Sequence, residues 1–177
     1  MNQERTEIIK TFFNQLTILF FGIILIGCSN TLPQQKNKSG KEENSMVKSS
    51  DPWTKNDIIK PDELSKILSD NKSGKPEIIQ IGFSFLYEQN HIPGAKYMGP
   101  ASNADGIRSI KEGVKDLNKN KNIVIYCGCC PWGDCPNIHP AFKTLHDLGF
   151  KNVKLLYIPH TFVKDWVDKG FPDVKGN

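Results

Sequence analysis

Four of the chain's five cysteines fall within nine residues: Cys127-Gly128-Cys129-Cys130-Pro131-Trp132-Gly133-Asp134-Cys135. Thiols this crowded support three kinds of chemistry. A thiolate takes a sulfur atom from a donor and carries it as a persulfide, which a second thiol resolves to leave a disulfide. Two of Cys129, Cys130 and Cys135 could instead form a structural disulfide that shapes the loop. Several thiolates could also hold a soft ion, copper(I) or zinc(II), with Cys127, Cys129, Cys130 and Cys135 as the ligand set. The spacing Cys-x-Cys-Cys-x4-Cys is not the paired C-x-x-C of zinc fingers, and it lacks the following His of c-type haem attachment. His139 is close enough in sequence to be a fourth ligand, with a helix start or the surface as its plainer place. Thiol or persulfide chemistry ranks ahead of metal binding in this reading, a non-catalytic interaction domain is the remaining alternative, and no cofactor is expected.

Nucleophilic sulfur needs an element that delivers it to an open site. Asn122 to Tyr126 (NIVIY) is the clearest strand pattern in the chain, and it runs straight into Cys127. The loop then leads into a helix expected near Ile138 to Leu148, with Asn137 as a candidate N-cap and Pro140 tolerated in the first turn. A sulfur held before a helix N-terminus is favoured as the anion by backbone N–H groups and the helix dipole. Gly128, Trp132 and Gly133 set the loop backbone. Trp132 has three readings: a lid on the sulfur pocket, a partner-docking ring, or filler under a long loop.

The rest of the pattern alternates. Helices are expected at Pro61 onward (Leu64, Ile67, Leu68), over Phe83 to Gln89, over Gly106 to Asn118, and over Pro159 to Lys169. Further strands are expected at Glu77 to Ile81, Lys96 to Met98 and Asn152 to Leu156, with Gly149 as a helix C-cap residue. Such alternation implies an α/β domain with a mostly parallel central sheet and helices on both faces, whose sites form at the carboxyl ends of strands. The chain has 177 residues, 38% hydrophobic and 24% charged, with a net charge of +4. That allows one ordinary domain with flanking sequence and excludes wholesale disorder. The charge is too small and too scattered to argue for nucleic acid.

Three stretches together resemble the rhodanese (sulfurtransferase) domain. They are Glu77 to Ile81 with Tyr87 and the turn His91-Ile92-Pro93-Gly94-Ala95; the strand into Cys127 followed by Leu148-Gly149-Phe150-Lys151-Asn152-Val153; and Leu155-Leu156 with Trp166 and Gly170-Phe171-Pro172. The resemblance covers about Ile59 to Val174. It implies a rhodanese-like fold, a persulfide on Cys127, a small sulfur-containing donor and a thiol acceptor, with His91 structural and Tyr87, Trp166 and Phe171 in packing roles. It also marks departures. The family's Asp and Arg of the first strand are here Gln80 and Gly82, and the loop from Cys127 to Asn137 has no Lys or Arg of the kind that holds the sulfonate of thiosulfate in typical members. Cys-dependent phosphatases of the same fold end a longer loop in an Arg, and no Arg follows Cys127 in this chain, which excludes that activity.

The first residues read as an address. Leu16 to Gly27 is an uncharged run of 12 residues ending Leu25-Ile26-Gly27-Cys28. That is too short to span a membrane and right for a signal peptide. It is similar to the lipobox of bacterial lipoproteins, which implies cleavage before Cys28 and lipidation of its thiol. The organisation expected is a leader over 1–27, a lipidated Cys28 and polar tether over 28–52, and a rhodanese-like domain over 53–177. It would be a monomer in the cell envelope, outside the cytoplasm.

Overall fold

The computed structural model describes residues 46–70 and 74–176, so the leader, Cys28 and most of the tether lie outside the described residues. The elements run β1 (Ile58–Ile59), α1 (Pro61–Ser69), β2 (Glu77–Gln80), α2 (Ser84–Gln89), β3 (Lys96–Tyr97), α3 (Ala104–Gly113), β4 (Ile123–Tyr126), α4 (Ile138–Asp147), β5 (Val153–Leu156) and α5 (Phe162–Asp165). The strands form one sheet in the order β1-β5-β4-β2-β3, and every pairing is parallel.

Strand periodicity sorts the core into two layers. Ile79, Ile123, Ile125, Val153 and Leu155 face one side, where they meet Ile110 of α3 and Ala141, Phe142 and Leu145 of α4. Ile78, Val124, Tyr126 and Leu156 face the other, against Leu64 of α1 and Phe162 and Trp166 at the C-terminal end. β4 is buried along its whole length, as a central strand covered on both faces must be. No helix among the described residues is long and apolar enough to cross a membrane.

Several boundaries differ from the sequence expectation, each for a local reason. β1 has only two residues, too few to show a period, and exists because Ile58 and Ile59 pair with Leu155 and Leu156. α3 starts at Ala104, where the Asn103 side chain accepts from Gly106 N, and ends at Gly113 rather than Asn118. Glycine favours the helix weakly, and the chain continues as turns to Leu117, whose N–H bonds to the Val114 carbonyl. The final helix breaks at Trp166 (φ −124°, ψ −62°), leaving α5 and a 3-10 turn over Val167–Lys169. The break seats the fully buried indole, whose Nε1 donates to the Pro172 carbonyl at 2.9 Å. Ordered packing also reaches back to Met46, which is buried in the core.

The chain runs outward from β2 to β3, crosses back to β4, then continues outward to β5. This reversal makes the carboxyl ends of β2 and β4 the switch point, where such folds form a crevice.

Candidate functional site

Cys127 sits in that crevice, 2% exposed, directly after β4. Across from it, Gly82 follows β2 so closely that a Cβ there would lie 3.1 Å from the Cys127 sulfur. Gln80 is buried below, its Oε1 accepting from Gly82 N at 3.2 Å. These are the two positions where the sequence departed from the Asp and Arg pattern. They supply an amide and a close backbone approach to the sulfur instead of an ion pair.

The loop folds back because Gly128 adopts φ +73°, which favours glycine. Its carbonyl accepts from Phe162 N at 3.1 Å, tying the loop to the start of α5. Cys129 is thereby returned over Cys127, with the two sulfurs 3.1 Å apart, and Cys130 Sγ lies 3.1 Å from Cys129 Sγ. A 3-10 turn over Trp132–Asp134 then brings Cys135 in. The sulfurs of Cys127, Cys129 and Cys135 all lie within 4.8 Å of one another. The four loop thiols are unbonded.

Asn137 is the residue sequence reasoning misplaced. It was expected to cap α4 but makes no side-chain capping bond. Its side chain is fully buried and committed elsewhere. Oδ1 accepts from Ser102 N at 2.8 Å, and Nδ2 donates to the sulfurs of Cys127 at 3.3 Å and Cys129 at 3.8 Å. A cap would have turned this amide toward the helix N–H groups. The neutral amide is the polar donor held against sulfur in a loop without Lys or Arg.

The other candidates resolve by contact. His139 does not join the sulfurs. Its Nε2 lies 3.1 Å from Asp51 Oδ1, and its ring packs on Trp53. Trp132 fills space rather than covering the pocket, packing edge-on against Trp53 and Tyr157 with Nε1 donating to the Met46 carbonyl at 3.0 Å. Gly133 offers its carbonyl to Lys48 Nζ at 3.2 Å. Cys130 is half-exposed, and its thiol points to the Asp134 carbonyl at 3.8 Å. His91 is buried, with Nδ1 2.8 Å from the Tyr87 carbonyl and its ring stacked on Tyr87, a structural role.

A cavity of about 200 Å³ opens over Cys127 and Cys129, between Gln80, Leu86 and Asn90 on one side and Thr161, Phe162 and Val163 on the other. No Lys, Arg or His lines it.

The expectation of a stabilised thiolate is overturned. Cys127 is pushed up to about 12, mainly because its thiol donates to Cys129. Burial adds to the rise, while bonds from Cys135 and from the Cys129 backbone N–H oppose it. Cys130 is raised to about 11, by burial first and its bond to Cys129 second. Cys135 is raised by donating to Cys127 and by burial. For Cys129 the bond from Cys127 lowers the pKa, but donation to Cys135 and burial outweigh it, and the net shift is upward. Thiols that bond to one another hold their protons.

A pH dependence follows. In the unfolded chain these thiols ionise near pH 9, whereas folded Cys127 keeps its proton to about 12. The unfolded state therefore binds fewer protons between those values, and stability falls as pH rises. The reduced protein should lose about 1 kcal/mol per pH unit from this residue above pH 9. Urea unfolding of wild type against Cys127→Ala measures it, and equal slopes would contradict the assignment.

Comparison with known proteins agrees with this geometry. Residues 60–157 match the family model for the rhodanese-like domain. No curated protein sequence matches the chain. Among solved structures, the chain is similar to the Alr3790 protein from Anabaena sp., at 20% identity and a TM-score of 0.51, covering 67% of this chain and 92% of that one. It is similar to the BH2092 protein from Bacillus halodurans at 21% identity and a TM-score of 0.52, covering 67% and 76%. It also resembles a thiosulfate sulfurtransferase from Pseudomonas aeruginosa, at 24% identity and a TM-score of 0.50, covering 68% of this chain and 19% of that one. At these identities the structures speak for the fold, and the model match for the family. With its all-parallel sheet and a cysteine at the switch point after β4, the chain belongs to the rhodanese-like domain family.

Proposed function

We propose that this protein moves sulfane sulfur through a persulfide on Cys127 and releases it as sulfide with the help of Cys129. The observation that carries the reading is the 3.1 Å contact between the two sulfurs beneath the cavity. Membership of the rhodanese-like family supports sulfurtransferase chemistry in general.

In the first step Cys127 loses its proton to solvent, and the resulting thiolate attacks the outer sulfur of a small persulfide or polysulfide. A Cys127–S–SH bond forms, and the donor leaves as its thiolate. In the second, the Cys129 thiolate attacks the inner Cys127 sulfur. The Cys127–Cys129 disulfide forms and HS⁻ departs, so the two cysteines together give up the two electrons that reduce the sulfane sulfur. An external dithiol then reduces the disulfide. The Asn137 amide and the Cys129 backbone N–H aim at the Cys127 sulfur and stabilise its anion once formed.

No Lys, Arg or His lines the cavity to hold the sulfonate of thiosulfate, which favours donors that carry no sulfonate. Cys28 is proposed as a lipid attachment point that holds the domain, as a monomer, at a membrane of the cell envelope. These assignments rest on the leader pattern alone.

The test is the intact mass of the reduced full chain after incubation with inorganic polysulfide. One added sulfur atom is expected on Cys127, removable by cyanide and absent from Cys127→Ser. Cys129→Ser should retain the added sulfur and release little sulfide. A wild-type chain that gains no sulfur at Cys127 rules out the reading.

A further inference from the structure

We infer that the sulfurs of Cys127, Cys129 and Cys135 form a three-coordinate site for a soft monovalent ion, copper(I). Their mutual distances, all within 4.8 Å, are the starting point. A metal bonded to three sulfurs at about 2.3 Å sits in a triangle with edges of about 4 Å. Two of the three residues, Cys127 and Cys135, are buried on fixed backbone, and Cys129 is half-exposed. The 3.1 Å contact between Cys127 and Cys129 has to widen by about 1 Å to reach that edge.

The donor set selects the ion. Thiolates with no oxygen or nitrogen partner favour copper(I) or zinc(II). Structural zinc takes four ligands, whereas the described residues bring three sulfurs, and no fourth His, Cys, Asp or Glu ligand atom, within 4.8 Å of one another. His139 is engaged by Asp51. Asp134 is exposed on the loop turn. Cys130 Sγ touches Cys129 Sγ at 3.1 Å but is not within 4.8 Å of all three sulfurs, and its thiol also points to the Asp134 carbonyl. The Asn137 amide presents Nδ2 to the sulfurs of Cys127 and Cys129, and this group donates rather than ligates. Three sulfur ligands without a fourth fit copper(I), whose filled d shell is stable at that coordination number.

The surroundings suit thiolates once a metal is present. Asn137 is fully buried, and both of its amide ends are used, so the N–H donor is fixed against two of the three ligand sulfurs. Outer hydrogen bonds of this kind orient ligands and tune metal affinity. As each S–Cu bond forms, its thiol proton leaves to solvent, and copper remains in the +1 state throughout. The mutual thiol hydrogen bonds that keep these protons in place are exchanged for bonds to the ion. Because Cys127 is a ligand, a bound ion and a persulfide exclude one another.

The experiment uses the full chain carrying Cys28→Ser, so that only the loop thiols remain. The reduced protein is titrated without oxygen against copper(I) supplied as its bathocuproine disulfonate complex, and loss of the complex's visible colour reports transfer. Withdrawal of one equivalent is expected, with X-ray absorption showing three sulfur neighbours. Cys130→Ser should still withdraw one equivalent, whereas Cys129→Ser should bind at least about 100-fold more weakly. Cys129 is the ligand chosen for the test because it is half-exposed, and circular dichroism checks that the variant is folded. Failure to withdraw copper, displacement of bound copper by an equal concentration of zinc chloride, or equal losses in Cys130→Ser and Cys129→Ser would each overturn the proposal.

Discussion

Replacement of Asn137 by Ala is expected to lower the unfolding free energy by about 2–3 kcal/mol, read by urea denaturation of the reduced protein. The side chain is fully buried, and its loss strands the Ser102 N–H and opens a cavity beneath the sulfurs. Asn137→Asp separates this structural effect from the chemical one. The carboxyl group still accepts from Ser102 N but has no N–H to offer Cys127 and Cys129. An ionised Asp there would raise the Cys127 pKa further. Polysulfide loading of Cys127 should slow by about 10–100-fold at neutral pH, with circular dichroism unchanged. Wild-type loading by the Asp variant would show that the amide only supports the loop.

Gly128→Ala should be at least as damaging, by another route. At φ +73° an added Cβ costs about 1–2 kcal/mol in backbone strain alone. It would also meet Phe162 Cβ at 2.6 Å and Phe162 N at 3.0 Å, atoms that cannot move without shifting α5. The combined loss should be about 3 kcal/mol or more, accompanied by faster alkylation of Cys129 as the loop lifts. Gly149→Ala is the control. Its φ is +86°, yet nothing lies within 4 Å of the added atom, so it should show the strain cost without the overlap. Equal losses at the two sites would mean that the Phe162 contact is unimportant.

What could be read from the sequence depended on the range over which each signal acts. The apolar run Ile123 to Tyr126 identifies a central strand by itself, and its end marks the place of Cys127. The turn around His91 and the cap at Gly149 are local, and they appear as expected. The role of Asn137 is not local. Its partners come from the preceding loop and from Ser102, and an Asn before a helix is equally well explained as a cap. His139 could not be placed without knowing that Asp51 folds back to meet it. The protonation state of the cysteines failed for the same reason. The helix terminus is visible in sequence, whereas the contacts among thiols that raise the Cys127 pKa arise only when the loop closes.

The framework of the loop is assembled from distant parts of the chain. Trp132 Nε1 bonds to Met46, 86 residues away, and Lys48 reaches Gly133 across 85. Ser102 holds Asn137 across 35. Contacts of such sequence separation close late, because their ordering cost comes before their gain. During that interval the four thiols are on an unshaped loop, free to react with one another or with a second chain. Under oxidising conditions they can be trapped in any of several pairings before Asn137 reaches them. A protein refolded in air should therefore be a mixture of disulfide isomers and cross-linked dimers, and one refolded under reductant a single species. If the chain is exported to an oxidising compartment, it must arrive with its thiols reduced or meet an isomerase that sorts them.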